Sequence, residues 1–93
     1  MTTKKKKMNY KEQIDETYEI DFDLFTVEEI VKIIDFYHLM KKYVNHKVKK
    51  DVIKNAYYEY KNIIHNLALE KKYNQRFFEK TGISIYQEIK SID

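Results

Sequence analysis

The scarcity of residues that break helices limits the folds open to this chain more than any other feature. A single glycine, Gly82, and no proline occur among its 93 residues. Hairpin turns and phosphate-binding loops need glycine at defined positions, so hairpin-rich β folds and such loops are disfavoured. Since 43% of the residues are apolar, the chain has enough material for a core. We therefore predict an all-α fold, a small bundle of three main helices plus a short C-terminal helix, with an extended N-terminal strap.

Apolar periodicity and capping signals give the positions of the four helices. Their predicted bounds are about 27–45, 50–65, 67–81 and 85–91. Thr26 precedes Glu29 by three residues, which is the spacing of a capping box at a helix start. Gly82 supplies the left-handed residue that ends the third helix. Residues 1–13 are predicted to be a mobile lysine-rich tail, and residues 14–93 a single helical domain.

The apolar patterns also indicate which sides of the helices are buried. The first helix is apolar over more than half of its circumference, which is typical of a helix covered on several sides, so we expect it to be central. In the third helix, Leu69, Tyr73 and Phe77 repeat every four residues and are predicted to face the core. Leu67 and Phe78 are expected to support that stripe.

The segment before the first helix has a different period. Between residues 18 and 25, apolar side chains alternate with Glu19, Asp21 and Asp23, which is the pattern of a half-buried extended segment. We predict a strap that lays its apolar side chains across the helices while its acids face water or the basic helical body. The side chains expected to be buried are Tyr18, Ile20, Phe22 and either Leu24 or Phe25. The alternative is that the segment pairs with its counterpart in a second subunit.

Charge is distributed unevenly along the chain. Residues 12–35 carry nine acids and one lysine, whereas residues 36–93 carry twelve bases and six acids. The run Lys4–Lys7 adds positive charge at the start and is interpreted as a solvated terminus, with contact to an anionic surface as the alternative. No apolar run is long enough for a membrane span, and no signal peptide or cysteine is present, so we expect a soluble cytoplasmic protein with no membrane partner.

Residues with catalytic or metal-binding chemistry do not form a recognisable motif. The histidines His38, His46 and His65 are eight and nineteen residues apart, so no single element presents two ligands at metal-binding spacing. Ser84 is better explained as a helix cap than as a nucleophile. We therefore predict no catalytic residues, no metal site and no cofactor, and a function other than catalysis.

Two kinds of partner are compatible with this sequence. The leading hypothesis is a protein–protein interaction or regulatory module whose unknown partner could be a second copy of the chain. Its candidate contact residues are three aromatic groups outside the main stripes, Phe36, Tyr43 and Tyr58. The acidic strap is a further candidate contact. The alternative is an RNA- or DNA-binding accessory protein that uses the basic faces of the second and third helices. Its candidate contacts are Lys50, Lys54, Lys61, Lys72 and Arg76.

Three stretches carry a resemblance to a known family. "YEIDFDLFTVEEIVKIIDFY", "AYYEYKNI" and "FEKTGISIYQEIK", in this order, resemble the YktA-type uncharacterised proteins of low-GC Gram-positive bacteria. The resemblance covers about residues 18–91. It implies a compact helical bundle in a bacterial cytoplasm and supplies no activity.

Overall fold

The chain forms four α-helices and no β-strand in the computed structural model, which describes residues 18–92. In chain order, α1 is Val27–Val44, α2 is Lys50–Ile64, α3 is Leu67–Thr81 and α4 is Ile85–Lys90. The predicted all-α class, with three main helices and a short fourth, is confirmed. The predicted tail, residues 1–13, and the predicted start of the domain at residue 14 lie outside the described part of the chain and stay predictions.

The helices begin and end where local hydrogen bonds satisfy their terminal backbone groups. The capping box of α1 is complete, because the Glu29 N–H donates to Thr26 Oγ1 at 3.1 Å and the Thr26 N–H donates to Glu29 Oε1 at 2.9 Å. Gly82 follows α3 with a φ of 77° and donates its N–H to the Phe78 carbonyl at 2.7 Å, as the left-handed cap requires. The helices end within one residue of their approximate predicted bounds, and the last residues predicted for α1, α2 and α4 are C-caps: Asn45, His65 and Ser91.

Helix α1 is the centre of the fold, as its wide apolar surface predicts. Its buried residues are Ile30, Ile33, Ile34, Phe36, Tyr37 and Met40. Phe36 stacks on Tyr60 of α2 with ring centroids 4.5 Å apart, and Tyr37 stacks on Phe77 of α3 at 4.7 Å. Offset aromatic pairs of this kind add about 0.5–1.5 kcal/mol to the free energy gained by burying their apolar surface. The same two stacks fix α2 and α3 on two sides of α1.

The strap packs against the helices through its first apolar residues. Tyr18 and Ile20 are buried, and the Tyr18 ring lies 4.8 Å from the ring of Tyr37 and 5.7 Å from that of Phe77. The prediction left open whether Leu24 or Phe25 is buried, and Phe25 is the partly buried one. The centre of its ring lies 5.9 Å from that of the Tyr73 ring. The predicted burial therefore holds for Tyr18, Ile20 and Phe25, although the backbone of Glu19 is left-handed, with a φ of 56°, and not extended.

The middle of the strap departs from the prediction, because it turns. The Leu24 N–H donates to the Asp21 carbonyl at 3.2 Å, and this turn interrupts the alternation on which the prediction rested. Phe22 and Leu24 therefore remain 51% and 55% exposed, and the expected burial of Phe22 was wrong. A segment with this turn also lacks the continuous extended edge that pairing with a second subunit requires.

The difference between Ile20 and Phe22 gives a direct test of the strap. Ile20→Ala is expected to lower the free energy of unfolding by about 2 kcal/mol, the lower end of the range for removing a buried aliphatic side chain. Phe22→Ala removes a larger side chain but is expected to change the free energy by less than about 0.5 kcal/mol, because that ring is exposed. Urea denaturation of the two variants provides the measurement. Equal effects would show that the strap does not pack as described.

Candidate protein-docking surface

Helix α3 presents two different flanks beside the buried side chains of Tyr73 and Phe77. The strap side, which faces the N-terminal segment, carries Lys72, Arg76 and Lys80. The groove side, which faces α4, carries Leu67, Lys71, Asn74 and Phe78. Within each row the residues are three or four positions apart, so they project from one face of the helix. One flank is thus committed to the chain's own strap, while the other is open.

Polar contacts close the strap side of α3. Tyr73 donates its hydroxyl proton to Asp21 Oδ2 at 2.5 Å, and the Asp21 N–H donates to the same hydroxyl oxygen at 3.3 Å. Arg76 donates to the Glu19 carbonyl at 2.7 Å and lies 3.8 Å from the Asp21 carboxylate. Lys80 pairs with the Glu19 carboxylate at 3.3 Å. The acidic strap therefore faces the basic body, one of the two orientations that the sequence allowed for its acids.

These contacts bear on the residues predicted to bind nucleic acid. Arg76 is held by the strap, and Lys72 lies 4.0 Å from the Asp21 carboxylate. The other three, Lys50, Lys54 and Lys61, lie on α2, where the Lys61 ammonium is 5.6 Å from the centre of the Tyr57 ring. The structure therefore does not bring the five predicted cations into one open surface.

The three aromatic residues predicted to contact a partner have different environments. Phe36 is 2% exposed and stacked on Tyr60, so the expectation that it lies on an exposed surface was wrong; α2 covers it. Tyr43 is partly buried and lines a second depression of about 610 Å³ between the end of α1, the following loop, the start of α2 and α4. Tyr58 is exposed as expected. A partner role for Tyr43 and Tyr58 stays a prediction.

A groove between α3 and α4 contains apolar groups that the sequence interpretation assigned to the core. Leu67, Phe78 and Tyr86 are 70%, 46% and 59% exposed, and the buried Ile85 also lines the groove. The space they line measures about 660 Å³. We call this surface the α3–α4 groove. The expectation that Leu67 and Phe78 support the buried stripe was wrong, because both side chains are exposed, whereas the buried side chains of α3 are Tyr73 and Phe77.

Charged groups border the α3–α4 groove. Glu70 accepts a hydrogen bond from the Tyr57 hydroxyl at 3.1 Å, which ties α2 to that edge. Burial, followed by the charge of Glu70, raises the pKa of Tyr57 to about 12, so this hydroxyl remains a donor throughout the neutral range. Lys71 lines the groove, and the Lys90 ammonium lies 5.6 Å from the centre of the Tyr86 ring. Two lysines thus flank the apolar groups, while the nearby carboxylate already has a hydrogen-bond donor.

Residues 18–92 provide no metal-binding cluster and no membrane-spanning element. No group of three or more histidine, aspartate and glutamate side chains in that range is arranged to hold a metal ion. None of the four helices has the length and apolar character needed to cross a bilayer.

Comparison with known proteins finds one family and several relatives that are similar to this chain. The model of the uncharacterised protein family UPF0223 matches residues 15–93. A UPF0223 protein of Staphylococcus epidermidis is 33% identical over 75 residues, 81% of this chain and 80% of the relative. A relative from Bacillus cytotoxicus is 31% identical over 72 residues, 77% of this chain and 80% of the relative. A relative from Oceanobacillus iheyensis is 30% identical over 83 residues, 89% of this chain and 86% of the relative. No solved structure matches the chain significantly. The predicted likeness to an uncharacterised bacterial family is confirmed, whereas the YktA-type name stays a prediction.

Proposed function

The chain belongs to the uncharacterised protein family UPF0223, and on that premise we propose that it is a non-enzymatic protein–protein interaction module that docks a helix of a partner protein. The docking site is the α3–α4 groove. The observation that carries the proposal is the exposure of Leu67, Phe78 and Tyr86 around a single concave surface. Clustered exposed apolar groups with a polar border are typical of interaction sites.

The dimensions of the groove favour a short helix as the occupant. Leu67 and Phe78 are eleven residues apart on α3, a distance of about 16 Å along a helix axis. A partner helix of about three turns would cover that length with apolar anchors at intervals of three, four or seven residues. The three exposed side chains offer much less surface than the roughly 800 Å² per partner that a stable dimer buries, so we favour a peptide-like segment over a second copy.

The charges at the border favour a helix with acidic outer residues. Lys71 lines the groove on α3, and Lys90 on α4 lies beside the ring of Tyr86, which also lines it. Glu70 is the acidic residue that lines the groove, and its carboxylate accepts a hydrogen bond from the Tyr57 hydroxyl. Complementary charge speeds association and helps to exclude wrong partners more than it adds affinity. We therefore propose an acidic amphipathic helix, in a cytoplasmic protein, as the partner.

A display library of 16-residue helical peptides tests this proposal even though the partner is unidentified. We expect panning against the protein to enrich peptides with apolar anchors on one face and acids beside them. The double variant Leu67→Ser/Phe78→Ser should bind the enriched peptides at least about tenfold more weakly, a loss of about 1.4 kcal/mol. Val52→Ser is the matched control, because Val52 is 45% exposed on α2, outside the groove. A library with no enrichment, or peptides that bind the double variant equally well, would contradict the proposal.

Nucleic-acid binding is the second candidate, favoured by a row of side chains on α2. Lys50, Lys54, Tyr58 and Lys61 follow one another at spacings of four, four and three, so they share one face. Such a face combines cations for phosphates with an aromatic ring for base stacking. Titration of the protein with a random-sequence RNA 12-mer at two salt concentrations tests whether this face binds nucleic acid. Tight binding that weakens steeply with salt would support this candidate, whereas no measurable binding would remove it.

A further inference from the structure

A chain of buried hydrogen bonds ends at the α3–α4 groove. Tyr37 and Tyr60 place their hydroxyl oxygens 3.2 Å apart in the core, and the Tyr60 hydroxyl donates to Asn74 Oδ1 at 2.7 Å. Asn74 lines the groove. Asn74 therefore connects the hydrogen-bonded tyrosines of the core to the proposed docking surface.

The direction of these hydrogen bonds follows from the number of hydroxyl protons. Each tyrosine has one proton to donate, so if Tyr60 donates to Asn74, Tyr37 must donate to Tyr60. Both buried protons then have acceptors. If the amide were reversed, Asn74 would donate to Tyr60, Tyr60 would donate to Tyr37, and the Tyr37 proton would have no acceptor among the described residues. A buried hydroxyl proton without an acceptor is costly, so the first arrangement is preferred.

This arrangement fixes the orientation of the Asn74 amide. Its oxygen faces Tyr60, and its NH₂ group, which has no hydrogen-bond partner among residues 18–92, is left on the groove side. We infer that Asn74 sets the register of the docked helix by donating a hydrogen bond to an acceptor on it, a carboxylate or a side-chain carbonyl oxygen. This inference rests on the proposed function. It requires that the partner helix carry a hydrogen-bond acceptor as well as apolar anchors.

The acceptor on the docked helix follows from the chemistry of the NH₂ group. The backbone carbonyls of a helix are used within the helix, apart from those in its last turn, so a side chain must supply the oxygen. Aspartate and glutamate fit best, because a charged acceptor gives a stronger hydrogen bond and also suits the lysines at the border. We therefore expect enriched peptides to carry an acid at one fixed distance from their apolar anchors, rather than acids at variable positions.

Asn74→Asp is the variant that isolates this donor. The new carboxylate can still accept the Tyr60 proton, but an oxygen replaces the NH₂ group and no donor remains toward the groove. Peptides enriched on the wild-type protein should bind it at least about tenfold more weakly. Gln75→Glu is the control for added charge, because it places a negative charge on the adjacent lining residue, whose amide donates to Glu79 Oε2 at 3.2 Å, without touching Tyr60. We expect that control to lose less than about threefold, since an exposed charge contributes little.

The side-chain amide signal of Asn74 supplies a second readout. In the ¹⁵N-labelled protein, the Asn74 NH₂ resonances should shift when the peptide binds, because a hydrogen bond to an acid forms there. Peptides that lose binding in Leu67→Ser/Phe78→Ser but bind Asn74→Asp as well as wild type would overturn the inference and leave the proposed function intact. Peptides that bind all of these proteins equally, or a failure to enrich any peptide, would overturn both.

Discussion

Phe77→Ala is expected to lower the free energy of unfolding by about 3–5 kcal/mol, the range for removing a buried aromatic side chain. Phe78→Ala, the same substitution one residue later, is expected to cost less than about 1 kcal/mol. Phe77 is fully buried and stacks on Tyr37, whereas Phe78 is 46% exposed in the α3–α4 groove. The pair separates a residue that stabilises the fold from one that is available to a partner.

Thermal and urea unfolding of the two alanine variants measures this difference. A domain of this size loses about 4–8 °C in Tm per kcal/mol, so Phe77→Ala should unfold at least about 12 °C below wild type. Phe78→Ala should stay within a few degrees of wild type. If Phe78→Ala were as damaging as Phe77→Ala, its ring would be part of the core and the groove would not exist as an open surface.

The second large effect is expected at alkaline pH. Burial raises the pKa of Tyr37 and of Tyr60 well above 10, the usual value for tyrosine. A pKa that is higher in the folded state stabilises the protein fully below the unfolded pKa, and this stability is lost as pH rises toward the folded pKa. Each of these tyrosines should therefore remove about 1.4 kcal/mol per pH unit above pH ~10, or about 2.7 kcal/mol per unit together.

Two further tyrosines act in the same direction. The pKa of Tyr73 is raised to about 12, first by burial and then by its hydrogen bond to Asp21, and that of Tyr57 to about 12 by burial and Glu70. Ionised Tyr73 would place a negative charge beside the strap carboxylate that it now holds. Small domains are stable by about 5–15 kcal/mol, so we expect cooperative unfolding between pH ~11 and ~12.

Far-UV circular dichroism and tyrosinate absorbance, recorded together against pH, check the alkaline transition. The absorbance of the buried tyrosines should rise together with the loss of helix, not before it. Tyr37→Phe removes one ionisable group while Tyr60 still donates to Asn74, so the dependence of stability on pH should be shallower by about 1.4 kcal/mol per unit. Complete ionisation of all tyrosines in a protein that stays helical to pH 12 would show that their hydroxyls are not buried.

Local signals were sufficient to predict the helices. Thr26 with Glu29 and the single glycine, Gly82, specify helix ends through hydrogen bonds made within a few residues. The apolar width of α1 predicted its central place, because a helix that is apolar on most sides must be covered on most sides. The number and order of helices follow from such short-range information.

The errors arose where exposure depends on a distant neighbour. Phe36 is outside the narrow stripe of α1, yet α2 covers it, and nothing near Phe36 in sequence indicates this contact. Phe78 adjoins the buried Phe77, but the position of α4 leaves it on the open side. Phe22 continued an alternation that the turn between Asp21 and Leu24 interrupts. The candidate site was missed for this reason, since it consists of apolar residues that the packing leaves uncovered.

A hint of the groove is nevertheless present in the sequence. Leu67, Lys71, Asn74 and Phe78 form a second row on α3, displaced from the row of Leu69, Tyr73 and Phe77. This second row is apolar at its two ends and polar between them, and apolar side chains outside the buried row are either covered by another element or exposed. The sequence shows both rows, and the packing shows which row is covered.

Chemical-shift mapping with an enriched helical peptide tests the central claim, that α3 uses one flank for its own strap and the other for a partner. In the ¹⁵N-labelled protein, we expect shift changes at the groove residues of α3 and along Ile85–Lys90 of α4. The strap, residues 18–25, and the basic row of α2 should keep their signals. Shifts concentrated on the strap or on Lys50, Lys54 and Lys61, with the groove unchanged, would contradict it.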